Sequence, residues 1–187
     1  MELKTVYFTN PGRENTEQVL RIARRRAEEL GINTILVAST RGDTAVKAME
    51  AFSGFRVIAV THVSGFHAPN SQEFTEDNRK IVESKGGIIL TTTHAFGGLS
   101  RAMRKQFNTY VIGDIVANTL RILGQGMKVV CEITLMATDS GLVRTDEDVI
   151  AIAGTGQGAD TAVVLRPVNA ERFFDLKVRE ILCKPHF

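Results

Sequence analysis

Cysteine is scarce. Cys131 and Cys183 lie far apart in a chain of 187 residues, and Cys131 sits inside an apolar run. Two such residues are too few for a disulfide framework and have no metal-ligand spacing, so a reducing, cytoplasmic setting is expected. An excess of one charge is also missing: 23 basic against 21 acidic residues leave a net charge of +2. A nucleic-acid footprint needs a strong basic surplus, so that partner is excluded. The Arg24-Arg25-Arg26 run stands beside Glu28 and Glu29 and reads as a solvated helix face. No apolar run approaches the ~20 residues of a membrane span. The first residues, with Glu2 and Lys4, have no apolar signal core, so no membrane partner is expected. Repeats, low-complexity tracts and linkers are absent as well, which leaves a single domain over residues 1–187.

What is present is a recurring unit: an apolar strand, a polar tip, then a helical pattern. Residues 6–8 form a short strand. Val19, Ile22, Ala23, Ala27 and Leu30 then share one face of a helix over residues 16–30, stopped by Gly31. Residues 34–38 and 56–60 read as strands, with a helix through Ala45, Val46, Ala48 and Met49 between them. Thr75 caps a further helix whose first turn carries Glu76 and Asp77. Residues 88–90 give a fourth strand, followed by helices near residues 100–107 and 114–123. Residues 127–136 read as the longest strand, and residues 149–153 and 161–165 as two more, joined by a short turn and therefore antiparallel. Residues 173–182 fit a helix and a strand equally. The alternation predicts an α/β fold of three layers: a mainly parallel sheet flanked by helices, with an antiparallel strand pair near the C-terminus.

Open sheets of this kind bind ligands beyond the carboxyl ends of their strands. Here three successive strands end in Ser39-Thr40, Thr61-His62 and Thr91-Thr92-Thr93-His94. Helix caps alone account for one such tip; three together point to a binding crevice. The sharpest segment is Ser39-Thr40-Arg41-Gly42-Asp43-Thr44-Ala45. A helix start supplies converging N–H donors and a positive dipole end, Gly42 permits close backbone approach, and Arg41 adds charge. A phosphate is the expected ligand group. Asp43 would repel it and is expected to cap the helix instead. Gly154-Thr155-Gly156-Gln157-Gly158 resembles a dinucleotide fingerprint, but a strand rather than a helix follows it, so it reads as a tight turn near a ligand. His62, His67 and His94 match no metal spacing; His62 and His94 are expected to face one crevice as donors, acceptors or acid–base groups. Arg101, Arg104 and Lys105 share a helical face that reads as solvated, with Arg101 near enough to Gly97 and Gly98 to reach an anion. Nucleophile-elbow, Walker and Ser-His-Asp patterns are missing.

The segment from Ser39 to Ala45, placed after an apolar strand, resembles the phosphate loop of the pyruvate kinase C-terminal α/β domain, and the glycine-rich turn at residues 154–158 resembles a turn near that domain's end. The chain is similar over nearly its whole length to stand-alone relatives of that domain. In pyruvate kinases the domain is regulatory and the loop holds a phosphate of a sugar bisphosphate; stand-alone relatives are associated with flavin mononucleotide. The resemblance therefore implies that Ser39, Thr40, Gly42, Asp43 and Thr44 hold a phosphate. It places His62, Thr93, His94, Phe96 and Gly97, with Thr155, Gly156, Gln157 and Gly158, around the rest of the ligand. Flavin mononucleotide is the implied cofactor, with Phe66 and Phe96 as walls for its ring. The alternatives are a non-catalytic sensor of a sugar phosphate or nucleotide, and a structural or oligomeric scaffold without ligand. A homo-oligomer stays open. The catalytic half of a pyruvate kinase is a barrel of ~250 residues that this chain has no room for, so that activity is not expected.

Overall fold

Residues 34–38 alternate between two hydrophobic clusters. Ile35 and Val37 face one, Leu36 the other, and all three are fully buried. That alternation is the mark of a strand covered on both faces. The computed structural model describes residues 2–187 and gives, in chain order, β1 (Val6–Phe8), α1 (Thr16–Leu30), β2 (Thr34–Ala38), α2 (Asp43–Ala51), β3 (Arg56–Val60), α3 (Glu76–Ser84) and β4 (Ile88–Leu90). These are followed by α4 (Gly98–Phe107), α5 (Ile112–Arg121), α6 (Gln125–Asp139), β5 (Val149–Ala153), β6 (Thr161–Arg166) and β7 (Lys177–Pro185).

The seven strands form one sheet in the order β1-β7-β6-β5-β2-β3-β4. β2 pairs in parallel with β3 and β5, β3 with β4, and β1 with β7. β6 runs antiparallel to both β5 and β7, and is the one reversed strand. The expected three-layer architecture and the antiparallel pair of residues 149–153 with 161–165 are both present. Side chains from α1, α2 and α3 meet Ile35, Val37, Val57 and Ile152 on one face. α6 meets Leu36, Ile58, Ala151 and Val163 on the other. Each fully buried Leu, Ile or Val in these layers contributes about 1.5–3 kcal/mol of transfer free energy. The outermost strands, β1 and β4, have three residues each, and short edges limit pairing with other chains.

Two sequence expectations change. Residues 127–136 are not a strand but the middle of α6, and nearly every residue there is buried. A helix enclosed on all sides loses its polar stripe, and a short window of it cannot be told from a central strand. The ambiguous residues 173–182 divide: a 3-10 turn at Ala170–Asp175 precedes β7, which bonds to β6 and also to β1. The last strand thereby joins the chain's beginning to its end, with Val6 opposite Cys183. Cys131 and Cys183 are free and belong to opposite clusters, and burial pushes both thiols up to about 12. Among the described residues, no helix is long and apolar enough to cross a membrane.

Candidate functional site

β2 lies at the point where the strand order switches. The chain leaves β2 for β3 on one side and returns as β5 on the other. In open α/β sheets the crevice at such a switch, beyond the carboxyl ends, is the usual ligand position. Val37 stands opposite Ile152, so the turns after β2 and β5 leave the same end of the sheet side by side.

The turn after β2 is held at both ends. Ser39 is buried; its N–H donates to Val60 O at 3.0 Å, and its Oγ accepts from Ala45 N at 3.3 Å. Ser39 is therefore the side chain that satisfies the first turn of α2. Asp43, expected as the cap, is exposed and lies 3.5 Å from Asn78 Nδ2 instead. The Arg41 carbonyl accepts from Thr75 N at 3.1 Å and Asn78 Nδ2 at 3.0 Å, which ties the turn to the start of α3. Gly42 has φ +104°, and a Cβ there would come within 2.5 Å of Asn78 Cβ and 3.0 Å of Phe74 Cε1. Glycine is thus required by packing on α3 as well as by conformation. Among the described residues, the N–H groups of Thr40, Arg41, Gly42, Asp43 and Thr44 meet no protein acceptor. Free amides gathered at a helix start are the elements of an anion cradle.

Beside this turn stands an imidazole held from behind. His62 Nδ1 is 2.8 Å from Glu73 Oε2, and its Nε2 is 3.4 Å from Thr40 Oγ1. Gln72 sets the reach of Glu73: its Nε2 donates to His62 O at 2.9 Å, and its Oε1 accepts from Phe74 N at 3.0 Å. The result is a hydroxyl–imidazole–carboxylate chain. Glu73 fixes the ring orientation, and Nε2 is turned toward Thr40, where it can donate to an anion or accept a proton. Phe66 stacks on His62 with centroids 4.0 Å apart, and the Arg101 guanidinium lies 4.0 Å from the same ring. Arg41 and Arg101 have no ion-pair partner among the described residues, so both positive charges are available near the turn.

His94 lies 5.4 Å from His62, centroid to centroid, and its Nε2 accepts from Val63 N at 3.3 Å. Burial pushes its pKa down to about 4. The pull of Glu132 opposes this, and His62, Lys128 and Arg101 reinforce it. His94 is consequently neutral at pH 7, a hydrogen-bonding group rather than a cation. Behind it, Glu132 Oε1 accepts from Phe96 N at 2.9 Å and Gly97 N at 3.1 Å, while Oε2 pairs with Lys128. Burial opposes ionisation of Glu132, but the Lys128 charge and hydrogen bond, the Phe96 amide and His94 outweigh it and hold the carboxyl below its ordinary range.

The structure brings Thr40, His62 and His94 together with Phe66 and Arg101; it does not do so for every residue singled out in the sequence. Phe96 is buried in the core, edge-on to Phe173, and is no ligand wall. Thr93 is exposed, with its methyl against Gly98. The turn at residues 154–158 is committed elsewhere. The wholly buried Asp160 accepts from Gly12 N and Thr155 N, each at 3.0 Å, and from Thr161 Oγ1 at 2.8 Å. A Cβ on Gly158 would come within 2.4 Å of Arg13 Cα, and one on Gly154 within 2.5 Å of Gly158 O. These glycines let the turn close on the segment before α1; only Gly156 and Gln157 stand exposed beside the crevice. Glu73, Gln72, Lys128 and Glu132 were missed in the sequence. The single local signal was the i, i+4 spacing of Lys128 and Glu132, inside a segment that read as a strand. No group of three or more His, Cys, Asp or Glu among the described residues is placed to hold a metal ion.

The fold is an α/β domain whose switch-point turn, after β2, has backbone N–H groups without protein acceptors among the described residues. The sequence profile of the pyruvate kinase α/β domain matches residues 17–165, most of the chain, and the chain belongs to that family. Among solved structures, it is similar to a pyruvate kinase from Cryptosporidium parvum (CGD1_2040) at 12% identity and a TM-score of 0.43, covering 82% of this chain and 23% of that one. A structure of Cryptosporidium parvum pyruvate kinase in complex with ADP matches at 12% identity and a TM-score of 0.41, covering 80% and 22%. The chain thus spans less than a quarter of the length of these enzymes.

Proposed function

We propose that the protein binds a small phosphate-bearing ligand at the carboxyl end of β2, with the phosphate on the free amides of residues 40–44. Those amides are the observation that carries the reading. Backbone donors that the fold leaves unpaired are open to a ligand, and here five successive ones, two of them on the exposed residues Arg41 and Asp43, lie at a helix start next to His62 Nε2. The Thr40 hydroxyl adds a donor, and Asp43 stays turned toward Asn78.

Flavin mononucleotide is the ligand that the family resemblance suggests. Its phosphate would take the unpaired amides of residues 40–44. Its ring has a less complete place: Phe96 is in the core, and Phe66 lies between His62 and Arg101. That packing favours, as the second reading, a sugar phosphate or nucleotide sensed without turnover, because such ligands need no aromatic slot on that side. The protein as purified is to be examined for flavin absorbance and by native mass spectrometry. It is then titrated with flavin mononucleotide, riboflavin, a sugar phosphate and inorganic phosphate, with thermal stabilisation as the readout. Stabilisation by the mononucleotide but not by riboflavin supports the flavin reading, and stabilisation by the sugar phosphate supports the second. If none of the phosphate compounds raises the midpoint, the phosphate assignment is wrong.

A further inference from the structure

Three hydroxyls crowd the ends of β2 and β3, and two of them are committed. Ser39 Oγ accepts from Ala45 N, and Thr61 Oγ1 lies 2.7 Å from both His62 O and Thr91 Oγ1. Thr40 Oγ1 has a single polar contact among the described residues, with His62 Nε2 at 3.4 Å. That imidazole is oriented by Glu73, whose Oε2 is 2.8 Å from Nδ1. A carboxylate accepts and does not donate, so the proton of the neutral ring sits on Nδ1, and the lone pair of Nε2 faces the Thr40 hydroxyl. A hydroxyl, a base and a group that orients the base are the parts of an activated nucleophile, and the distance from hydroxyl to base commonly shortens once substrate is bound.

The amides that follow in the chain supply the other half of a reaction site. The N–H groups of residues 41–44 meet no protein acceptor among the described residues. They belong to the same turn as the Thr40 hydroxyl, so a phosphoryl group held on them lies beside it. Phosphoryl transfer asks little of a protein beyond a placed nucleophile and donors for the charge on the equatorial oxygens, and the attacking and leaving oxygens stand roughly in line. His62 is on the attacking side and therefore has no proton to give a leaving group on the far side. That restricts a substrate to compounds whose leaving group departs as a stable anion, such as acyl and aryl phosphates.

We propose that the site hydrolyses activated phosphoryl compounds through a phosphothreonine formed at Thr40. Thr40 Oγ1 bonds to phosphorus as its proton passes to His62 Nε2, and the bond from phosphorus to the leaving oxygen breaks with its electron pair on that oxygen. Water then attacks phosphorus from the vacated side. The bond from Oγ1 to phosphorus breaks, His62 returns its proton to Thr40, and dihydrogen phosphate departs. Thr40 and His62 are the catalytic residues, and Glu73 is a positioning residue. The proposal rests on the reading of residues 40–44 as a phosphate site. Within it, flavin mononucleotide and sugar phosphates are alkyl esters, ligands of the site but not its substrates.

The test follows phosphate release from acetyl phosphate and p-nitrophenyl phosphate by the full chain, against the rate in buffer, with intact mass measured after acid quenching. Turnover and one added phosphoryl group on Thr40 are expected. Thr40→Val removes both and Thr40→Ser keeps both, while His62→Gln lowers turnover about 100-fold or more. Glu73→Gln lowers turnover and also displaces the acid limb of its pH profile toward lower pH, because the imidazolium loses its carboxylate partner; a merely structural loss leaves that limb in place. If inorganic phosphate raises the thermal midpoint of the parent but neither compound is hydrolysed, the proposal falls and the phosphate reading stands. If phosphate has no effect and nothing is hydrolysed, both fall. Turnover that Thr40→Val leaves unchanged overturns the proposal as well.

Discussion

Two glycine-bearing turns leave the same end of the sheet on neighbouring strands, and they use their backbones in opposite ways. After β5, the turn of residues 154–158 closes on the segment before α1, with the buried Asp160 carboxylate taking the amides of both sides. After β2, the turn is anchored through the Arg41 carbonyl and the Ser39 hydroxyl, and the N–H groups of residues 40–44 are left without protein partners. Glycine content does not separate the two; the richer turn is the more committed one. What separates them is where the backbone donors go, because an amide already satisfied has nothing to give a ligand.

That contrast is open to attack by substitution. Asp160→Ala leaves three donors unpaired around a wholly buried position and is expected to cost about 3 kcal/mol of unfolding free energy, read by urea denaturation. A loss under 1 kcal/mol would mean that water replaces the carboxylate and that the turn is less committed than it looks. Gly42→Ala comes next. A positive φ and a Cβ within 2.5 Å of Asn78 make a cost of roughly 2 kcal/mol the expectation, the sum of backbone strain and displaced packing.

The pH response is smaller. The pKa of His94 is about 4 in the folded chain against 6.5 ordinarily, so between those values the unfolded chain binds a proton that the folded one refuses. Its contribution is complete above pH 6.5 and is lost as pH falls toward 4. The loss is roughly 1 kcal/mol after discounting for partial exposure. Unfolding curves for the parent and His94→Gln between pH 7 and 4 should show a shallower decline in the variant. A parallel decline removes His94 from the account. Thr40→Val should move stability least, by less than about 0.5 kcal/mol, yet weaken binding of a phosphate ligand about tenfold, because a hydroxyl donor is exchanged for a methyl beside the cradle. Unchanged affinity would separate Thr40 from the ligand.

Much of the sheet was legible before any coordinates. β2 and β3 read as central strands because burial on both faces turns them into unbroken runs of Val, Ile, Leu and Ala, and α1 read as a helix because one face alone is buried. α6 was misread because its surroundings leave it no polar face: Lys128 and Glu132, its charged pair, are buried within the fold. The residues around the β2 turn were identifiable as strand-end hydroxyls and histidines. Glu73 was not, since it reaches His62 only because Gln72 fixes a loop that no periodicity marks.

Local order, then, was determined by the chain's own pattern outside α6 and residues 173–182: which of the other segments are strands or helices, and that polar tips cluster at the ends of β2, β3 and β4. Tertiary structure decided which of those tips have spare hydrogen-bonding capacity. That follows from the partners available in space, such as Asp160 meeting Gly12 across 148 positions of chain. Spacing within a segment reports the face a residue occupies; only the assembled fold reports whether its donors are already taken.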